Sequence, residues 1–239
     1  SSSLPEDVQN AFYHSIRGFE QIEILRPAYA IEYDCLHPTR LEATLESKIV
    51  RGLYGAGQFN GTSGYEEAAA QGLLAGLNAA RNALGKEQLI LPRHTSYLGT
   101  LVDDLVTKGV MDPYRMMTSR SEYRLLHRQD NADQRLTAIG AEVGLVPQSR
   151  LEEVNAKYEA VRREIARLES SGVPGSDALN EMLAARDTAP VTNSARLADL
   201  LRRPQVSYAD LAPFDGSRPP LPAAVTEEVE IQVKYAGYL

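Results

Sequence analysis

An α/β region followed by a mostly α region is the fold class this sequence predicts. Three observations carry the prediction. β-rich, partly alternating segments crowd the first third of the chain and run into a cluster of glycines. A helix of small residues follows those glycines at once. Beyond residue 95 the apolar residues recur at three- and four-residue steps instead of two.

In chain order, "PEDVQNAFYHSIRGF" predicts a helix from Pro5 to about Ile16. Two acids occupy its first turn, Val8, Phe12 and Ile16 lie on one face, and Gly18 ends it. "QIEIL" and "AYAIEYDCL" predict two short strands flanking Arg26-Pro27, "LEATLES" a third, and "KIVRGLYGAG" a strand entering the glycine cluster. A helix is expected from Tyr65 to about Ala83. Ala68, Gly72, Gly76 and Ala80 make a small-residue face that could lie close to a sheet or a ligand. "SYLGTLVDDLVTKG" predicts an amphipathic helix closed by Gly109. A turn, an arginine-rich segment and another helix follow, up to Pro147. "QSRLEEVNAKYEAVRREIARLESSG" predicts a long charged helix with the stripe Leu151, Val154, Tyr158, Val161, Ile165 and Leu168, broken by "GVPGSD". Two short helices in "TNSARLADLLRRPQVSYADLAPF" and a final helix that stops abruptly at the end complete the chain. The expected organisation is an α/β part over residues 1–95, a connecting arginine-rich helical segment over 96–146 and a truncated helical domain over 147–239.

Bulk properties narrow the class. With 43% hydrophobic and 24% charged residues among 239, a globular protein is expected. No apolar run approaches the ~20 residues of a membrane span, and the start lacks the features of a signal peptide, so a cytoplasmic protein is the expectation. The chain opens on serines without a start methionine and reads like a piece of a larger enzyme. The net charge of −7 disfavours wholesale nucleic-acid binding but leaves room for a local basic face. His14, His37, His94 and His127 show no metal-ligand spacing, so no metal site is expected. Cys35, the single cysteine, sits in an apolar predicted strand and reads as a buried, inert thiol. Asp103 and Asp104 are either a solvated pair or a substrate-orienting one.

Two motifs carry chemistry. In "GLYGAGQFNGTSGYEEAAAQG" the strict dinucleotide fingerprint fails, because Asn60 stands where a small residue is needed. The glycines still allow a close backbone approach, and Gln58 and Asn60 can donate and accept, as the edge of a flavin ring requires. The competing reading is a tightly packed turn, with Glu66 and Glu67 as ordinary first-turn acids. In the second motif Arg115, Arg120, Arg124, Arg128 and Arg135 cluster within a generally acidic chain. On a helix, Arg120, Arg124 and Arg128 would share a face able to bind phosphate. The competing reading is a solvated surface, with Asp130 and Asp133 neutralising Arg128 and Arg135. Arg162, Arg163, Arg202 and Arg203 read as solvated surface.

Five stretches together, "LPEDVQ", "RPAYAIEYD", "LESKIVRGLYGAGQFNGTSGYEEAAAQGLLAGLNAAR", "YLGTLVDDLVTKGVMDPYRMMTSRSEYRLLHRQDNADQRLT" and "VEIQVKYAGY", resemble the glucose-inhibited division protein A family, and do so in order over nearly the whole chain. The resemblance implies the later part of a Rossmann-like FAD-binding domain joined to a helical domain. It implies an enzyme that, with a GTPase partner, adds an aminomethyl or carboxymethylaminomethyl group at C5 of the wobble uridine of tRNA. FAD is the implied cofactor, NADH and methylene-tetrahydrofolate the co-substrates, and a homodimer the intact form. The family's pyrophosphate loop and its two catalytic cysteines have no counterpart here, and Cys35 matches neither cysteine, so no catalytic residue is assigned and the piece alone is expected to be inactive. Gln58 matches the family's second flavin contact, with Gly57, Asn60, Gly61 and Thr62 as neighbours. Arg115, Arg120, Arg124 and Arg128 fall in the stretch associated with tRNA. A stand-alone RNA-binding or scaffolding module without redox activity is the alternative.

Overall fold

The computed structural model describes residues 2–238. Leu239, where the last helix is expected to stop, lies outside them. Helix α1 spans Glu6–His14, close to the predicted range, with Pro5 preceding it. Its apolar residues Val8 and Phe12, and Ile16 just beyond it, face outward. The helix is instead tied down by the buried Gln9, whose amide exchanges hydrogen bonds with the backbone of Ala28 and donates to the Leu4 carbonyl.

The strands expected over 21–57 do not form. Among the described residues this region holds only isolated bridges, Leu41 with Ser47 and Glu46 with Tyr54. A strand is defined by its neighbour, and among the described residues no strand pairs with "AYAIEYDCL". Leu25, Tyr29, Ile31 and Tyr33 consequently stand in solvent. The sheet of the predicted Rossmann-like part is therefore absent from the described residues. Their one sheet is a short antiparallel pair in the helical region, β1 (Gly172–Pro174) with β2 (Ser194–Arg196), Val173 opposite Ala195.

Helix α2 spans Tyr65–Ala83 as predicted, but buries a different face. The small-residue stripe looks outward over Gly72, Gly76 and Ala80, with nothing near either glycine. Leu74 and Ala75 face inward, together with the polar Gln71 and Asn78. Asn78 stitches the helix to the chain before and after it, donating to the carbonyls of Thr44 and Leu89 and accepting from the Leu89 amide. Helix α3, Tyr97–Asp103, is capped by the Ser96 hydroxyl, continues into a wider turn over Asp104–Lys108 and ends at Gly109 with φ of 71°. Leu41, Leu45, Leu74 and Val102 form a core between α2, α3 and the preceding loop; Leu101, Leu105 and Tyr114 extend it.

Helix α4 (Ala132–Glu142) leads into α5 (Gln148–Ser170). Val154, Tyr158, Val161 and Leu168 of the predicted stripe are buried. Val161 and Leu168 join residues of α6 (Asp177–Ala185), α7 (Leu197–Leu201) and α8 (Ala223–Tyr235) in a second core that includes Leu179, Leu200, Leu211 and Val229. The predicted helix near Ala209 is a 3₁₀ segment, Ala209–Phe214. Helix α5 also holds a buried acid, Glu164, which receives Arg167 (2.6 Å) and the Tyr208 hydroxyl (2.8 Å). No helix among the described residues is long and apolar enough to cross a membrane.

Candidate functional site

The glycine loop turns through a 3₁₀ segment, Gly57–Asn60, and leaves it at Gly61. Gly57 and Gly61 both have positive φ (71° and 81°), which a side chain would strain. A Cβ on Gly61 would also lie 2.6 Å from a Val110 methyl. Gln58 is exposed, and its Nε2 donates to the Asp34 carbonyl (2.7 Å). This bond brings the 31–35 segment beside the loop. Between them runs a groove of ≈ 500 Å³, whose lining includes Tyr33, Asp34, Cys35, Gln58, Thr62 and Pro113. Cys35 is exposed, not buried, because the strand expected to enclose it has no partner.

Asn60 and the Thr62 hydroxyl are engaged by the loop itself. Asn60 is 0% exposed and donates to the Gly55 carbonyl (2.9 Å) and to Gln71 Oε1 (2.8 Å); Gln71 in turn donates to the Thr62 hydroxyl (3.0 Å). These residues hold the loop in shape, and of the polar side chains expected at a cofactor Gln58 is the exposed one. The start of α2 is not an open anion site either. Glu67, 6% exposed, folds its carboxylate back over Gly64, where a Cβ would collide with it, and accepts from the Met116 amide (2.7 Å). The first-turn acid matches the helix dipole with the protein's own charge.

Groove chemistry decides which part of a dinucleotide could lie here. Glu32, Asp34 and Asp112 line it and, among the described residues, no lysine or arginine does. Pyrophosphate would be repelled, whereas a flavin ring needs an amide edge and a close backbone, which Gln58 and Gly61 offer. The residues fit the ring end of FAD.

The arginine segment is not a helix. Thr118–Arg120 makes a single 3₁₀ turn and the chain then passes through further turns to the start of α4, so the expected common face of Arg120, Arg124 and Arg128 is lost. At that junction Asn131 donates to the Leu126 carbonyl (2.9 Å). Arg120 and Arg124 are exposed. The Arg120 guanidinium lies 4.2 Å from the Tyr114 ring centre and its Nε donates to the Arg115 carbonyl. Arg115, 57% exposed, has only a loose pairing with Glu67 (3.8 Å). Arg128 is withdrawn: its side chain is 14% exposed, paired with Asp130 (3.1 Å) and set over the Tyr235 ring. Asp130 therefore neutralises Arg128 as the solvated-surface reading expects. Asp133 does not serve Arg135; it takes Lys157 (3.0 Å) and the Tyr158 hydroxyl (2.6 Å), while Arg135 donates to Asn131 and to backbone carbonyls.

Asp104 is resolved as a buried ion-pair centre, receiving Arg93 (2.7 Å), Lys108 (2.6 Å) and the Tyr114 hydroxyl (2.8 Å). Burial works to raise its carboxyl, but those three donors bring it below the usual carboxylate range. Asp103 stays half-exposed and also takes Arg93. Arg93 has no signal in the sequence, since "LPRHTS" reads as plain loop. Tyr114 joins the two motifs: its amide donates to the Gly61 carbonyl (2.8 Å) and its carbonyl accepts from the Ser63 amide (3.1 Å). Among the described residues no group of three or more His, Cys, Asp or Glu is placed to hold a metal ion.

Comparison with known proteins bears on the whole arrangement. The family model described as glucose inhibited division protein A matches residues 1–87, and the one described as tRNA modifying enzyme MnmG/GidA C-terminal helical domain matches 148–239. The chain belongs to the GidA/MnmG family. Over 239 aligned residues it is 54% identical to the tRNA uridine 5-carboxymethylaminomethyl modification enzyme MnmG of Caldicellulosiruptor saccharolyticus and 52% identical to that of Geobacter metallireducens, with 100% of this chain covered. It spans 38% of the length of these curated relatives. The solved structure of Aquifex aeolicus GidA in its form II crystal superposes with a TM-score of 0.81 at 45% identity, covering 100% of this chain and 37% of that one. The GidA/MnmG likeness thus runs through both the glycine loop and the helical region.

Proposed function

We propose that this chain, within a longer protein, forms one wall of a flavin site and an RNA-facing surface of a tRNA-modifying enzyme. The enzyme would add an aminomethyl or carboxymethylaminomethyl group at C5 of the wobble uridine, with a GTPase partner and as a homodimer in the cytoplasm. FAD would supply the redox chemistry, with NADH and methylene-tetrahydrofolate as co-substrates. In this chain Gln58 would orient the flavin ring, Gly57 and Gly61 would let the backbone approach it, and Asn60 and Thr62 would fix the loop from behind. Arg115, Arg120 and Arg124 would meet tRNA phosphates, and Arg128 would brace their segment from inside.

The observation that carries this reading is the pairing of Tyr114 with Gly61 and Ser63, which sets the acid-lined groove beside the exposed arginines. A polyanion needs cations and a neutral ring does not, and the two neighbouring surfaces differ in that respect. The test is tRNA binding by the full-length protein over a salt series. Arg120→Ala and Arg124→Ala are expected to weaken binding and to reduce the slope of log affinity against log salt by about one each. Unchanged affinity at low salt in both variants would remove the arginine assignment.

A further inference from the structure

We propose that Arg93 is a positioning residue for the RNA-facing segment, acting through Glu122; this rests on the reading of Arg120 and Arg124 as phosphate contacts. Arg93 lies beside those arginines and would pass for one more phosphate ligand, but its guanidinium is fully committed. Nε donates to Glu122. One terminal nitrogen donates to Asp103 (2.9 Å), Asp104 (2.7 Å) and the Thr100 carbonyl (3.4 Å). The other donates to both Glu122 oxygens (2.9 and 3.0 Å) and to the Arg120 carbonyl (3.2 Å). All three nitrogens are used, three carboxylates surround one cation, and no donor remains for a phosphate.

Asp103 and Asp104 belong to α3 and its continuation, which are packed into the core through Leu101 and Leu105. Glu122 and the Arg120 carbonyl belong to the exposed turns. Arg93 is the clamp between them, and its bidentate grip on Glu122 fixes the backbone on both sides of Ser121, which is itself buried and bonded to the Tyr123 amide. Arg120 and Arg124 lie two residues to either side of Glu122. A segment without regular secondary structure would otherwise lose conformational entropy on being ordered when RNA binds.

This assignment makes a prediction opposite in sign to simple electrostatics. Removing the Glu122 carboxylate takes a negative charge from the RNA-facing side, so charge alone predicts tighter binding. Positioning predicts weaker binding. In the full-length protein, Glu122→Ala and the charge-conserving Arg93→Lys are each expected to weaken tRNA binding roughly fivefold at low salt. The salt slope should fall toward that of Arg120→Ala, and amide exchange over residues 118–126 should quicken; in Glu122→Ala, whose carboxylate is exposed, the melting temperature should change little, whereas Arg93→Lys also loosens the buried Asp104 pair and should lower it. Tighter or unchanged binding by Glu122→Ala, with Arg120→Ala and Arg124→Ala still weakened, would overturn the positioning role alone. If those two arginine variants bind normally, the RNA reading fails and the positioning role fails with it.

Discussion

Gln58 and Asn60 stand two positions apart and look chemically alike, yet the structure gives them different work. Gln58 is exposed at the groove with one amide bond to Asp34, whereas Asn60 is sealed inside the loop against Gly55 and Gln71. Gln58→Ala is expected to lower flavin retention by the full-length protein, read from visible absorbance after purification, with little change in melting temperature. Asn60→Ala should act first on stability. It leaves Gln71 Oε1 and the Gly55 carbonyl without their donor, at about 1–3 kcal/mol, to be read from denaturant unfolding. The amide type was legible in the sequence; which amide faces outward was not, because a 3₁₀ turn of four residues has no periodicity to read.

Helix α3 shows at the scale of an element how close packing overrides propensity. Alanine is favoured over glycine in a helix by about 1 kcal/mol, so Gly99→Ala looks stabilising from sequence. In the fold, a methyl at this position would overlap the Pro92 carbonyl and lie 2.6 Å from that of Leu91. Backbone carbonyls cannot step aside as a flexible side chain can. The expected result is a net loss of about 1–3 kcal/mol, seen as a melting temperature several degrees lower. Because the Pro92 segment leads directly into Arg93, the same substitution would disturb the clamp on Glu122. Helix α5 behaves as its sequence indicates, since its stripe recurs at helical spacing over many turns. Its exception is Glu164, a buried acid that only Arg167 and Tyr208 make tolerable.

Across the whole molecule, separate elements are tied by carboxylates held ionised in the folded state. Asp104 joins α3 to Arg93 and Tyr114, Asp133 joins α4 to α5, and Asp215 joins α5 to the segment before α8 through Arg167. In each, burial works upward on the carboxyl, but hydrogen bonds and positive or hydroxyl partners bring it below the ordinary value. A carboxyl whose folded pKa is depressed stabilises above its unfolded value, near ~3.9, and loses that contribution as pH falls through the folded one. Stability should therefore drop in acid below about pH 4. In Asp215→Asn the melting temperature is expected to be lower at neutral pH and its fall between about pH 4 and 2 shallower, measured by calorimetry over that range. An unchanged acid profile would show that the Arg167 pairing contributes nothing.

What the sequence determined by itself is the helical part and the kinship. A stripe at three- and four-residue steps specifies α5, and long ordered motifs specify the GidA/MnmG family. Tertiary structure alone decided the rest. Strand-like segments over 21–57 stayed irregular because pairing requires a neighbour and propensity cannot supply one. The arginines divided into exposed and withdrawn because Asp130 and the Tyr235 ring reached only Arg128. Arg93, invisible in its loop, became a centre because three carboxylates distant in sequence converge on it. Local patterns encode local periodicity, whereas the partners of a charge are set by how the chain folds back on itself.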